Sequence, residues 1–305
     1  MTPLHILGAG ALGCLFAHRA TRAGYEVVLL TREPENQRVI TLVKDHQEIT
    51  QQFPTQCTRD ANHISNLLIA TKSYDVLSAA GCVVDALTPA SQVAVLSNGM
   101  GYHDALNALI PSHNLIAATT TAGCTLLDSS SANGVLSERY KQSGEGMTFF
   151  GHWTLQSEGI PEWLRPLLES FQQCSWSSDI KPLLLQKLVI NTVINPCTAL
   201  NDIPNGALAD EPWRKLVQQA VEEVDQILAS KHRGILMHPV GDLVDQVIID
   251  TAGNTSSMLA DVRAGRQTEH EAILGFLLEQ QAKAAEATPL LTSWLEALRS
   301  RARGL

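Results

Sequence analysis

Leu4-His5-Ile6-Leu7-Gly8-Ala9-Gly10-Ala11-Leu12-Gly13-Cys14-Leu15-Phe16, followed by Glu26-Val27-Val28-Leu29-Leu30, is the stretch from which the fold is read. A short apolar run meets a glycine cluster. Leu12, Leu15 and Phe16 then recur at helical spacing, Gly24 stands where a helix C-terminus places glycine, and a second apolar run follows. Strand, glycine turn, helix and strand make a βαβ unit. Within it Gly8-x-Gly10-x-x-Gly13 occupies the position that dinucleotide binding demands. The first glycine makes the tight turn, the second admits a pyrophosphate to the backbone, and the third lets helix and strand pack closely. The N–H groups of Ala11, Leu12 and Gly13 open the helix, where N–H groups and positive dipole favour phosphate.

Further buried-strand runs lie at Leu67–Ala70, Val93–Leu96 and Leu115–Ala118, and the segment Ser129–Gly151, richer in Ser, Gly and polar residues, reads as carrying antiparallel strands such as Met147–Phe150. After about Asp179 helical patterns take over: Leu183–Asn195, Pro212–Lys231, Asp242–Asp250, Ser257–Ala264 and Glu269–Ala287. The fold class is therefore an α/β Rossmann-type dinucleotide-binding domain, residues 1–178, followed by an all-helical domain, residues 179–305. A length of 305 residues agrees with two domains.

Composition narrows the function. The 31 acidic against 22 basic residues leave a formal charge of −9, which argues against nucleic acid or an anionic membrane as general partner. No transmembrane helix or signal peptide is read, and a cytoplasmic enzyme or binding protein is the expectation. The six cysteines show no C-x-x-C and the ten histidines no H-x-x-x-H, so no metal site is expected.

At the end of the second strand, Thr31-Arg32-Glu33 bears on cofactor choice. Arg32 suits a 2′-phosphate through bidentate bonds, whereas Glu33 would suit a free ribose hydroxyl. The reading favours NADP(H). In the helical domain Lys187, Asn191 and Asn195 recur every four residues on an otherwise apolar helix and form one polar stripe. A buried amide without a partner costs on the order of 2–7 kcal/mol, so the stripe should face a polar cleft or ligand. Pro196 is expected to bend or end that helix. Thr268 and Glu271 fit a capping box, and local pattern leaves Glu269 open between a helix-terminal acid and a catalytic carboxylate.

These residues carry a family likeness. The chain resembles the ketopantoate reductases (2-dehydropantoate 2-reductases) in Gly8-x-Gly10-x-x-Gly13, Lys72, Asn98-Gly99-Met100-Gly101 and Lys187-Leu188-x-x-Asn191-x-x-x-Asn195-Pro196. The match continues through Pro204-Asn205-Gly206 and Ser256-Ser257-Met258-x-x-Asp261 to Thr268-Glu269. The resemblance implies NADPH-dependent reduction of ketopantoate to pantoate in pantothenate synthesis, in a cleft between a Rossmann and a helical domain. It implies Lys187 as catalytic lysine and Glu269 as its acidic partner. Asn98, Asn191, Asn195, Asn205 and Ser257 match substrate- or cofactor-contacting positions, and Arg32 and Lys72 match basic residues at the phosphate end of NADPH.

The chain departs from many family members in having Ile273-Leu274-Gly275 where they have Asn-Gly, and in lacking a histidine after Thr119-Thr120-Thr121. Both departures bear on substrate choice, including whether Leu274 alters it. The alternatives are a reductase of another 2-keto acid, a β-hydroxyacid dehydrogenase relative, or a non-catalytic NADPH-binding sensor. The apolar C-terminal helices leave open packing within the chain or across a homodimer.

Overall fold

The computed structural model describes residues 2–303 apart from 36, 46, 113, 133, 155–158, 232, 233 and 282–287. The chain divides into two compact units, one of residues 1–97 and 102–181, the other of residues 98–101 and 182–305.

The first unit opens with β1 (Leu4–Leu7), α1 (Ala11–Arg22) and β2 (Val27–Thr31). β3 (Gln37–Lys44), β4 (Gln47–Cys57) and β5 (Asn66–Ile69) follow, then α2 (Val76–Gly81), β6 (Gln92–Val95), α3 (His103–Leu109) and β7 (Leu115–Thr120). The hairpin β8 (Gly123–Ala132) and β9 (Val135–Gly144) comes next, then β10 (Thr148–His152), α4 (Arg165–Ser170) and β11 (Cys174–Trp176).

β7, β6, β5, β1 and β2 run parallel in that order. β1, β5 and β7 are buried at every position, as parallel strands covered on both faces must be. β10 joins β7 antiparallel, as its sequence predicts. Beyond β2 the sheet changes character. Thr55–Cys57 of β4 pair parallel with β2, while Gln47–Pro54 pair antiparallel with β3. β9 then adds parallel to β3, and β8 antiparallel to β9.

β4 thus belongs to both sheets, starting in the second one, which packs on α1, and ending beside β2 in the first. Phe16 of α1 shares a core with Ile40, Leu42, Phe53 and Tyr140, and His18 donates from Nε2 to the Ile40 carbonyl at 3.2 Å. This second sheet has no clear sequence signature because β8 is almost wholly exposed, Leu126 and Leu127 included, so no alternation of buried apolar with polar residues marks it.

The second unit is built on α5 (Lys181–Asn201), α6 (Trp213–Lys231), α7 (Val240–Asp250) and α8 (Ser257–Arg263). The short α9 (Phe276–Glu279) and α10 (Pro289–Ala302) complete it. α5 is long and apolar enough to cross a membrane by composition, yet two thirds of that window is buried. Its Leu188, Val189 and Val193 share one core with Val224, Val244, Leu259 and Leu291 of the other helices.

Two local expectations are corrected: that α5 ends at Pro196, and that a long helix starts at Glu269. α5 runs through Pro196 to Asn201. Proline removes one helical donor, but Thr192 donates to the Leu188 carbonyl and Thr198 to the carbonyls of Ile194 and Asn195, and Ile194 and Cys197 are locked in the core. The segment read as a helix from Glu269 is instead a π-helical turn, Glu271–Gly275, and the short α9; its residues 282–287 lie outside the described residues.

Candidate active site

The glycine motif sits where the first strand ends. Gly8 has φ +103°, and a Cβ there would stand 2.7 Å from the Ala70 carbonyl carbon and Thr71 nitrogen. A Cβ on Gly13 would stand 2.0 Å from the Gly8 oxygen, so helix and strand close only around glycine at that point. At Gly10 a Cβ would meet nothing within 4 Å. The space over Gly10 is open, and Gly10 is the N-cap of α1 with no side chain capping the helix. Tight packing at the first and third glycines with a free face at the second fits a dinucleotide pyrophosphate.

Of the basic residues, Arg32 is 79% exposed and pairs with Asp75 at 3.0 Å. Glu33 pairs with Arg59 at 3.6 Å. Thr31 is turned inward, its hydroxyl donating to the Glu33 carbonyl at 2.8 Å. Lys72 is half-buried and starts the helical turn Ser73–Asp75 after β5.

The second unit holds a polar chain drawn from three distant parts of the sequence. Lys187 Nζ donates to Asn98 Oδ1 at 2.7 Å, and Asn98 Nδ2 donates to Glu269 Oε2 at 3.0 Å. An ammonium only donates and a carboxylate only accepts, so the amide of Asn98 can face them in one orientation. By accessible area Lys187 is only partly buried, yet the protein around its ammonium is enough to lower its pKa to about 8. Desolvation is the main cause, and the charge of Glu269 opposes it. Glu269 itself is 5% exposed.

Backbone geometry holds Asn98 in place. Met100 N–H donates to the Ala272 carbonyl at 2.8 Å. Gly99, with φ +78°, lies so close that a Cβ would fall 2.4 Å from that same oxygen. Ala272 belongs to the π-helical turn, whose wide winding starts two residues after Glu269. Sequence reading names Asn98 as a contact residue but not as the link between Lys187 and Glu269; no local pattern joins positions 98, 187 and 269.

The other candidates lie on the same unit. Asn191 is half-buried one turn beyond Lys187 on α5, and Asn195 is 4% exposed a turn further. Ser257 is exposed at the first turn of α8, where the preceding Ser256 is the N-cap, accepting from Leu259 N–H at 3.1 Å. Asn205 is buried; its Nδ2 donates to the Thr251 hydroxyl at 2.9 Å, and its backbone N–H donates to the Asn254 carbonyl, so it braces the turn between α7 and α8. The capping box is not formed. Thr268 meets His270 Nδ1 at 2.8 Å, and Glu271 takes a bidentate pair from Arg299 of α10 at 2.6 and 2.8 Å. The stronger guanidinium partner on α10 draws Glu271 away from the helix start.

Among the described residues no cluster of three or more His, Cys, Asp or Glu has metal-site geometry. The six cysteines are free thiols, and burial pushes Cys14 up to about 12.

Residues 4–154 match the family model described as ketopantoate reductase PanE/ApbA, and residues 179–302 match its C-terminal counterpart. The 2-dehydropantoate 2-reductase of Escherichia coli O157:H7 is 30% identical over 97% of this chain and 94% of its own length. A ternary structure of D-mandelate dehydrogenase with NADH and anilino(oxo)acetate shares the fold, with a TM-score of 0.84 and 20% identity over 99% of both chains. So does a probable 2-dehydropantoate 2-reductase from Bacillus subtilis, at TM-score 0.75 and 23% identity over 98% of this chain and 99% of that one.

Proposed function

The chain belongs to the ketopantoate reductase family of oxidoreductases, and on that footing we propose that it reduces 2-dehydropantoate to pantoate with NADPH, a step of pantothenate synthesis. The observation that carries the reading is the Lys187–Asn98–Glu269 chain. Reducing a ketone places negative charge on the carbonyl oxygen, which needs a proton at that moment. Lys187 is the donor. At a pKa of about 8 it is mostly protonated at neutral pH and gives up its proton far more readily than an ordinary lysine. Glu269 holds Asn98, and Asn98 holds the ammonium in one direction. Lys187 keeps some solvent access, which lets it regain a proton after each turnover.

The nucleotide, when bound, supplies the hydride. Gly8, Gly10, Ala11, Leu12 and Gly13 would hold its pyrophosphate, and Arg32 and Lys72 its 2′-phosphate end, with Asn98 a further candidate contact. Arg32 then exchanges the Asp75 carboxylate for a phosphate. Asn98, Asn191, Asn195 and Ser257 would contact the keto acid, and Asn205 would support that site through the turn it braces.

A second reading, a reductase of another 2-keto acid, draws on the π-helical turn. There Ile273 and Leu274 are buried where many family members carry Asn-Gly. Steady-state oxidation of NADPH and NADH, with and without 2-dehydropantoate and across a panel of 2-keto acids, tests both. Fastest turnover of 2-dehydropantoate with NADPH is expected. A different preferred acid supports the second reading, and binding of NADPH without oxidation by any acid would make the chain a sensor.

A further inference from the structure

Behind the glycine turn lies a charged cluster that the reaction does not use. Arg38 of β3 keeps only 10% of its side chain exposed and forms a fork with Glu35, at 2.7 and 3.0 Å from Nη2 and 3.2 Å from Nε. Its Nη1 reaches Glu138 of β9 at 3.4 Å and donates to the carbonyl of Ala9 at 3.2 Å. The Cys14 thiol approaches the same carbonyl at 3.4 Å. Ala9 is the residue between the first two glycines of the motif. The two carboxylates engage Nε, Nη2 and one side of Nη1, and the remaining donor capacity of Nη1 is directed at this peptide.

The peptide bond explains what that contact does. In a planar trans peptide the C=O and the N–H point in opposite directions. Holding the Ala9 oxygen toward Arg38 therefore turns the Gly10 N–H away from Arg38, at a residue whose surroundings leave room, since a Cβ on Gly10 would meet nothing within 4 Å. Among the described residues no backbone carbonyl accepts that N–H. A cation on the carbonyl also polarises the peptide and strengthens its N–H as a donor. We propose that Arg38, held by Glu35 and Glu138, is a positioning residue that aims the Gly10 N–H at the cofactor pyrophosphate. The inference rests on the nucleotide-binding reading above. It differs from the role of Arg32, because the pyrophosphate is common to NADPH and NADH whereas the 2′-phosphate is not.

Arg38→Met and Arg38→Lys, titrated with both nucleotides and assayed at saturating cofactor, separate the possibilities. In folded Arg38→Met, dissociation constants for NADPH and NADH should rise together by about tenfold, the loss of one charge-assisted hydrogen bond, while kcat stays within about threefold. Arg38→Lys keeps the charge without the fork and should fall between, at roughly threefold. Affinity unchanged in Arg38→Met, or lost for NADPH alone, overturns the proposal. Should Arg38→Met fail to fold, unchanged affinity in Arg38→Lys does the same. Wild-type protein that binds neither nucleotide overturns the cofactor reading itself, and this inference with it.

Discussion

At Lys187 two opposing effects set proton affinity: desolvation lowers it and the charge of Glu269 raises it. The sign of the pH dependence follows. The reduction needs the ammonium, so kcat should be flat below neutrality and fall as pH rises through about 8. Glu269→Gln removes the opposing charge, and the alkaline limb should move to lower pH in the same profile. Lys187→Ala should lower kcat by roughly 10²–10⁴ with nucleotide affinity nearly unchanged; wild-type-like turnover in that variant would take Lys187 out of the mechanism. Arg32 answers to a different measurement. Its exchange of Asp75 for a phosphate is worth one or two charged hydrogen bonds, so Arg32→Ala should weaken NADPH by about 10–100-fold and NADH little. Equal loss for both nucleotides would mean that the 2′-phosphate is read elsewhere.

Among the elements, α10 shows how a buried carboxylate can replace a local cap. Its N-cap, Thr288, makes no side-chain capping bond. The exposed ends of its first turn are met by Glu223 of α6, whose Oε1 and Oε2 accept from the N–H groups of Leu290 and Leu291 at 3.0 and 2.9 Å. Glu223 is 5% exposed, so losing it leaves donors unpaired in the core. Glu223→Ala should cost about 3 kcal/mol in a urea titration, with amide exchange quickening first in α10. A loss under about 1 kcal/mol would mean that water replaces the carboxylate freely. The same logic explains α5: it survives Pro196 because buried neighbours hold the turn in which a bond is missing.

Over the whole molecule, acid should be the weak direction. His103 is 1% exposed, stacked between Tyr102 and Trp153 at 4.2 and 4.4 Å, and burial lowers its pKa to about 3. Burial lowers His18 to about 4. The unfolded chain takes up these protons near pH 6.5 and the folded chain does not, so stability falls as pH drops from 6.5 toward 4. Each such histidine contributes up to about 1.4 kcal/mol per pH unit. His103→Phe, which keeps the stack, should lessen the loss between pH 6.5 and 5 by about 2 kcal/mol, read from denaturation midpoints at the two pH values. An equal slope in wild type and variant would mean that His103 already protonates in the fold.

The βαβ start, the buried parallel strands and the polar stripe of α5 were legible because each is a repeat of apolar and polar residues a few positions apart, and such repeats dictate local geometry. Gly8, Gly10 and Gly13 were legible for the same reason: their spacing is the motif. The sheet that packs on α1, the π-helical turn after Glu269 and the passage of α5 through Pro196 were not, since each depends on partners far along the chain. The same holds at the site. Lys187, Asn98 and Glu269 could be named singly, but their order, with the amide between ammonium and carboxylate, came from packing. Apolar periodicity states which face of an element turns inward; it carries no record of which polar groups will meet there, because hydrogen-bond partners are chosen by distance in space.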